Sequence, residues 1–228
     1  TKFIENFGIK VLRFTNNEIE NNLEGVLDTI ESEIIERSKN REERKPNFTE
    51  EFTKYMETAG CAPLLSGNPE QILGYIYSIL YSPTYRTKYY EFLKIDFPRI
   101  PFTEDKDIFN KLSELGQRLL DLHLLKVEFD KNIVSFPVSK PDLNVTKVEY
   151  KNNQVWFNDT TYFDNVPGNV WDYYIGGYQV LDKWLKERKK HNYTLCGEDL
   201  RHFIKVCNVL AETIEIQLKI DELTRGWV

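Results

Sequence analysis

Two groups of residues in this 228-residue chain have the types and spacing to do chemistry. The first is Pro141-Asp142 followed by Glu149-Tyr150-Lys151. It fits the PD…ExK pattern, in which two carboxylates hold Mg²⁺ and a lysine helps to activate water for phosphodiester hydrolysis. On a strand, Glu149 and Lys151 would share one face with Tyr150 opposite. The spacing between the halves is short, however, and similar triplets recur as Glu43-Arg44-Lys45 and Glu187-Arg188-Lys189, so the pattern needs a supporting context. The second group lies between Tyr75 and Phe109. There Tyr81, Tyr85, Tyr89 and Tyr90 alternate with Arg86, Lys88, Lys94 and Arg99, and the only acids from Tyr81 to Arg99 are Glu91 and Asp96. In a chain of net charge −6, this local reversal of sign marks a surface suited to gripping a polyanion.

Other chemistries lack their residues. No GxxxxGK[ST] or GxGxxG word occurs, so neither a nucleotide motor nor a dinucleotide enzyme is supported. His123, His191 and His202 lack metal-ligand spacing, and Cys196, His202 and Cys207 fall around one helix with no CxxC pair, so no zinc site is expected. The odd cysteine count, with Cys61 as the third, points to reduced thiols in a cytoplasmic protein. The first residues lack a secretory pattern, and no apolar run approaches the ~20 residues needed to span a bilayer. The sequons at Asn47, Asn144, Asn158 and Asn192 are read as chance. A pI near 5.3 argues against an indiscriminate nucleic-acid coat, but not against cations gathered on one face.

The elements that must position these groups are legible from periodicity. Gly8 to Phe14 reads as a strand and is followed by a helix capped by Asn16 or Asn17, with Ile19, Leu23, Val26, Leu27, Ile30 and Ile34 at helical spacing. Arg37 to Pro46 is charge-dense without an apolar residue, so residues 37–62 read as a linker and 63–228 as a second domain. Asn68-Pro69 and Ser82-Pro83 are helix starts, the second helix reaching toward Lys94. Pro98 and Pro101 then enforce an extended connector. Asp105 to Leu125 forms a long helix with a Phe109, Leu112, Leu115, Leu119, Leu122 and Leu125 seam. From Val127 to Phe157, β-branched and aromatic residues around Asn132 and Asn152-Asn153 predict short antiparallel hairpins. Helices return at Val170-Trp171, Tyr178 to Lys190 and Glu198 to Thr224, with Gly176-Gly177 as a turn. The expected fold is a mainly helical α+β domain with a small antiparallel sheet, preceded by a short βα fragment.

Four words fall in a characteristic order: YSPTYRTKYYEFLKIDFPRIPF, LSELGQRLLDLHLL, VPGNVWDYYIGGYQVLDKWLKERK and LAETIEIQLKIDEL. From about Asn68 to Asp221 the chain thereby resembles the C-terminal specificity domain of type ISP and related single-chain restriction-modification enzymes. The opening ENFGIKVLRFTNNEIENNLEGVLDTI, within residues 1–36, resembles the C-terminal end of an endonuclease-like domain related to very-short-patch-repair nucleases. Gly67-Asn68-Pro69-Glu70 is not the NPPY-like word of the attached adenine methyltransferases.

The resemblance implies a reading head: the domain docks on double-stranded DNA, recognises a short asymmetric sequence and presents an adenine for flipping. It implies no catalysis by this chain. S-adenosylmethionine and Mg²⁺ belong to the methyltransferase and nuclease domains of the parent, which are the expected protein partners. Phosphate grip is expected from Arg86, Lys88, Lys94, Arg99, Lys183 and Lys186. Base reading is expected from Lys126, Lys131, Asn132, Lys147, Asn152, Asn153 and Gln154 on the hairpins. Competing roles stand beside these: Arg86 can stack within the helical frame, Asn152-Asn153 can simply form a turn, and Trp156, Trp171 and Trp184 suit a core. Tyr173 to Tyr178 reads as a packing corner. Two wider alternatives are a Mg²⁺ nuclease centre at Asp142, Glu149 and Lys151, and a helical docking platform that leaves DNA untouched.

Overall fold

A computed structural model describes residues 25–32, 48–58 and 69–228. The chain divides into two units, Thr1–Phe48 and Thr49–Val228. In the first, residues 25–32 are helical, with Val26 buried and Leu27 exposed, and Thr29 Oγ1 donates to the Gly25 carbonyl at 2.7 Å. The expected strand from Gly8 to Phe14, the Asn16 or Asn17 cap and the charged run from Arg37 to Pro46 lie outside the described residues.

The second unit is mainly helical with small antiparallel sheets. Its elements are α1 (Glu50–Thr58), α2 (Pro69–Tyr81), α3 (Pro83–Lys88), α4 (Tyr90–Leu93), α5 (Lys106–His123), β1 (Glu149–Lys151), β2 (Gln154–Trp156), β3 (Tyr162–Phe163), α6 (Gly168–Trp171), β4 (Tyr174–Ile175), β5 (Tyr178–Gln179), α7 (Val180–Lys190) and α8 (Gly197–Leu223). The stretch read as linker thus contains α1, because Phe52 and Tyr55 have an apolar partner in Phe102, at ring distances of 5.5 and 6.4 Å. That packing makes α1 part of the second unit.

Two layers carry this unit. In the helical layer, α2 and α5 approach until backbone meets backbone. A Cβ built on Gly116 would overlap the Gly74 carbonyl, and one on Gly74 would overlap the Ser113 carbonyl. Tyr75 stacks between Phe102 and Phe109, at 5.0 and 4.8 Å, and closes that layer. His123, at the end of α5, bonds Tyr77 through Nδ1 at 2.8 Å and Thr213 through Nε2 at 3.2 Å, which ties α2 and α5 to α8. Burial without a charged partner lowers the His123 pKa and favours the neutral ring.

The mixed layer packs the β1-β2-β3 sheet, α6 and α7 against the N-terminal half of α8. Phe163 stacks on Phe203 at 4.0 Å, and Val155, Phe157 and Leu185 fill the space around them. Trp171 is buried on Tyr150, at 5.2 Å, as a core residue should be; Trp156 and Trp184 are half-buried at its margin. Arg188 lies flat on Trp184, 3.3 Å from the ring centre, and bonds Asp199 at 3.2 Å, joining α7 to the start of α8.

Several expectations shift in detail. The helix expected from Ser82 to Lys94 breaks at Tyr89 into α3 and α4. The residues 127–136, expected as strand, form only an isolated bridge between Ser135 and Asp164. Within this segment Ile133 N donates outside any strand, to Asn208 Oδ1 on α8 at 2.9 Å. Tyr178 opens a two-residue strand before the helix that it was expected to start. Among the described residues, no helix is long and apolar enough to cross a membrane.

Candidate nucleic-acid interface

The aromatic and basic stretch is built around α3. Ser82 caps this helix, its hydroxyl accepting from Tyr85 N at 3.0 Å and donating to Asp221 Oδ1 at 2.6 Å, while Pro83 fills the first helical position. The same carboxylate accepts from Thr84 N at 3.2 Å and from Thr84 Oγ1 at 2.8 Å, so α8 holds the N-terminus of α3. Tyr85 is buried and its hydroxyl donates to the Arg99 carbonyl at 2.8 Å. Tyr75 does the same for Pro101 at 2.7 Å. The tyrosines expected on the gripping surface are therefore mostly frame. Tyr85 is buried, Tyr81 and Tyr89 are half-buried, and Tyr90 is exposed.

The cations on that frame face solvent. Arg86, Lys88 and Arg99 are exposed and, among the described residues, have no carboxylate partner. Lys94 lies 3.0 Å from Glu91 and 3.9 Å from the centre of the Tyr90 ring. On α7, Lys183 covers the Tyr178 ring at 3.4 Å and Lys186 pairs with Asp182 at 2.7 Å. Such exposed pairs contribute only about 0–1 kcal/mol, so a phosphate can displace the carboxylate.

Sequence reasoning treated Tyr173 to Tyr178 as a packing corner; the structure corrects this. Only Tyr173 turns inward, where it interacts with Tyr81, Gln217 and Arg86. Tyr174, Ile175 and Tyr178 are exposed on the β4-β5 hairpin, whose tip is Gly176-Gly177 with φ of 57° and 84°. A Cβ at either glycine would meet nothing within 4 Å, so positive φ, not crowding, calls for glycine there. Arg86 on α3 and the base of this hairpin, with Lys183 beside its tip, are thereby brought into one neighbourhood.

The expected base-reading residues fall into different surroundings. Asn152 and Asn153 occupy the β1-β2 turn with φ of 54° and 60°, the I′ geometry that asparagine tolerates. Asn153 also accepts from the Tyr150 hydroxyl at 3.0 Å, whereas Asn152 is exposed at the tip. Gln154 is half-buried and donates to Asp164 at 3.0 Å. Lys147 pairs with Glu149 at 3.2 Å and Asp159 at 2.9 Å, and these bonds, Asp159 first, raise its pKa. Asn132 accepts from Asn208 Nδ2 at 2.7 Å. Lys131 lines a cleft of about 360 Å³ beside α5 and α8, and Lys126 is exposed after α5. Of these expected readers, Asn152, Lys126 and Lys131 have side chains with no protein partner among the described residues.

Both carboxylates of the PD…ExK pattern are engaged by protein groups. Glu149 and Lys151 do share the exposed face of β1, but Glu149 is engaged by Lys147, and Asp142 accepts from Asn144 N and Nδ2 at 3.0 and 2.8 Å. Among the described residues, no group of three or more His, Cys, Asp or Glu side chains could hold a metal ion. What the sequence did not single out is an apolar tip: Phe92 on α4, and Ile95 and Phe97 between α4 and Arg99, stand exposed.

Solved structures share this fold. A nuclease-deletion mutant of the Type ISP restriction-modification enzyme LlaGI in complex with a DNA substrate mimic matches at TM-score 0.52 and 24% identity, over 66% of this chain and 13% of that one. The ATP-dependent Type ISP enzyme LlaBIII bound to DNA matches at 0.53 and 22%, over 69% of this chain and 11% of that one. A DrdV–DNA complex matches at 0.58 and 23%, over 76% of this chain and 20% of that one. The chain thus spans between 11% and 20% of the length of these proteins. No curated protein matches it. The model of the Type ISP C-terminal specificity domain matches residues 11–216, nearly the whole sequence, and the chain belongs to that family.

Proposed function

We propose that this chain is the DNA target-recognition module of a restriction-modification enzyme and has no catalytic activity of its own. The observation that carries the reading is the specificity-domain match over residues 11–216. Fold neighbours bound to DNA support it, as do the exposed cations Arg86, Lys88, Arg99 and Lys183 in a chain of net charge −6. Phosphate contacts by these residues, with Lys94 and Lys186 released from their carboxylates, give affinity without sequence information. Selectivity then comes from polar side chains presented to base edges, with Asn152, Lys126 and Lys131 available as they stand. Lys147, Asn132, Asn153 and Gln154 join that set by exchanging a protein partner for a base edge. Methyl transfer with S-adenosylmethionine and cleavage with Mg²⁺ are assigned to other parts of a larger parent.

Selection from a pool of randomised duplexes tests this with the 228-residue chain immobilised. The reading expects enrichment of a short asymmetric word after a few rounds. Retention of duplex without enrichment at any position would refute target recognition.

A further inference from the structure

We propose that the loop from Phe92 to Pro98 is an apolar wedge that enters the base stack of duplex DNA, with Phe97 in the opened step and Lys88, Lys94 and Arg99 on the flanking phosphates. The proposal rests on the duplex-binding reading above and deepens it.

Phe92, Ile95 and Phe97 are 67%, 81% and 90% exposed, a combination that a water-facing loop has no reason to keep. The loop is nevertheless held in place. On its N-terminal side Leu93 N bonds the Tyr89 carbonyl at 2.9 Å, and on its C-terminal side the Tyr85 hydroxyl fixes Arg99 and the Tyr75 hydroxyl fixes Pro101. At the apex the Asp96 carboxylate accepts from Phe97 N at 2.7 Å, which sets the direction in which the ring leaves the chain. A rigid mount matters because a wedge whose conformation is already fixed loses little entropy on insertion.

Charge selects nucleic acid over protein as the occupant. Of the two acids, Glu91 pairs with Lys94 and Asp96 keeps its charge while accepting from Phe97 N, so Lys88 and Arg99, which have no carboxylate partner among the described residues, leave the stretch with a net positive rim. The apolar tip is thus rimmed by cations that include two lysines, a residue type depleted at protein–protein interfaces and suited to phosphates. Phe92, Ile95 and Phe97 themselves line a groove of about 630 Å³, together with Tyr89, Leu93 and Ile100. It gives a displaced base edge or sugar an apolar wall. Phenylalanine, isoleucine and proline are the side chains that open base steps in this way.

The test needs no knowledge of the recognised sequence. A labelled 30-base-pair duplex and the same duplex with one central abasic position are titrated with the chain. Unstacking costs a few kcal/mol, so a step that is already open should bind about tenfold or more tightly than an intact one. Phe97→Ala should lose that preference and Phe97→Trp should keep it. The salt dependence should be the same in all, because no phosphate contact changes. Phe97 is exposed, so circular dichroism should show all variants folded. Equal affinity of the native chain for both duplexes, or an unaltered preference in Phe97→Ala, would overturn the wedge and leave duplex recognition standing. Absence of binding to either duplex would overturn both. An effect of Phe97→Ala confined to self-association, with DNA binding intact, would make the tip a protein contact and also refute the proposal.

Discussion

The crossing of α2 and α5 gives a sharp test of the frame that carries the candidate interface. In an isolated helix, replacing Gly116 by alanine would stabilise by about 1 kcal/mol, because alanine is the better helix former. Here the added methyl would overlap the Gly74 carbonyl and come within 3.0 Å of Ser78 N, and both are backbone atoms inside a helix that no rotamer change can move. The helices must separate, opening space beside Tyr75 and Leu112, both buried. Overpacking typically costs about 1–3 kcal/mol, and a clash with unyielding backbone belongs at the upper end. Set against the helix gain, a net loss of about 2 kcal/mol in a unit of this size lowers Tm by about 4–8 °C. Gly168→Ala is the control, since its Cβ would meet only the Tyr150 hydroxyl at 3.5 Å, an ordinary contact. Thermal unfolding followed by circular dichroism should separate the variants. A Gly116→Ala protein as stable as Gly168→Ala would refute the close approach of these helices.

Other perturbations reach the interface from different sides. Asp221→Ala removes the carboxylate that serves Ser82 and Thr84 and should cost about 1–2 kcal/mol in urea unfolding. The same substitution should weaken duplex binding, since α3 carries Arg86 and Lys88. Burial works against ionisation of Asp199, but the Cys196 and Arg188 hydrogen bonds outweigh it and hold its pKa below the usual carboxylate value. Its contribution is therefore fully present above about pH 4 and lost as pH falls through the depressed folded value, so Asp199→Asn should flatten the acid side of the stability profile. Gln154→Ala should change preference at a single base pair of the selected word; an equal loss on every duplex would remove Gln154 from the readers.

Local signals carried well where they matched local physics. Ser82-Pro83 starts a helix as expected, and Asp105, at the expected start of the long helix, proves to cap it, because a short polar side chain ahead of an apolar stripe meets the orphan N–H groups whatever lies around it. Asn152-Asn153 form the turn that their tolerance of positive φ suggested. Nonlocal choices were not legible. The sequence could not tell that Ile133 would find Asn208 on α8 in place of a strand neighbour, nor that Phe102 would recruit α1. Nor could it tell which tyrosines face inward, since Tyr85 and Tyr90 sit in the same basic stretch and only the tertiary path makes one frame and the other surface. For the candidate site, residue type located the cations, but their pairing depended on acids three or four residues away on the same helix, such as Glu91 and Asp182. The apolar tip escaped notice because Phe92, Ile95 and Phe97 read as core until their exposure is seen.

The central claim is that cations of this chain grip duplex phosphates, and the salt dependence of its affinity for a 30-base-pair duplex tests it most directly. Four to six contacts, from Arg86, Lys88, Arg99 and Lys183 and then Lys94 and Lys186, give a slope of log K against log salt of about −4 to −5. Between 50 and 200 mM salt, that slope means a loss of affinity of roughly a few hundredfold to a thousandfold. A slope near zero, or no measurable binding at 50 mM, would contradict the account.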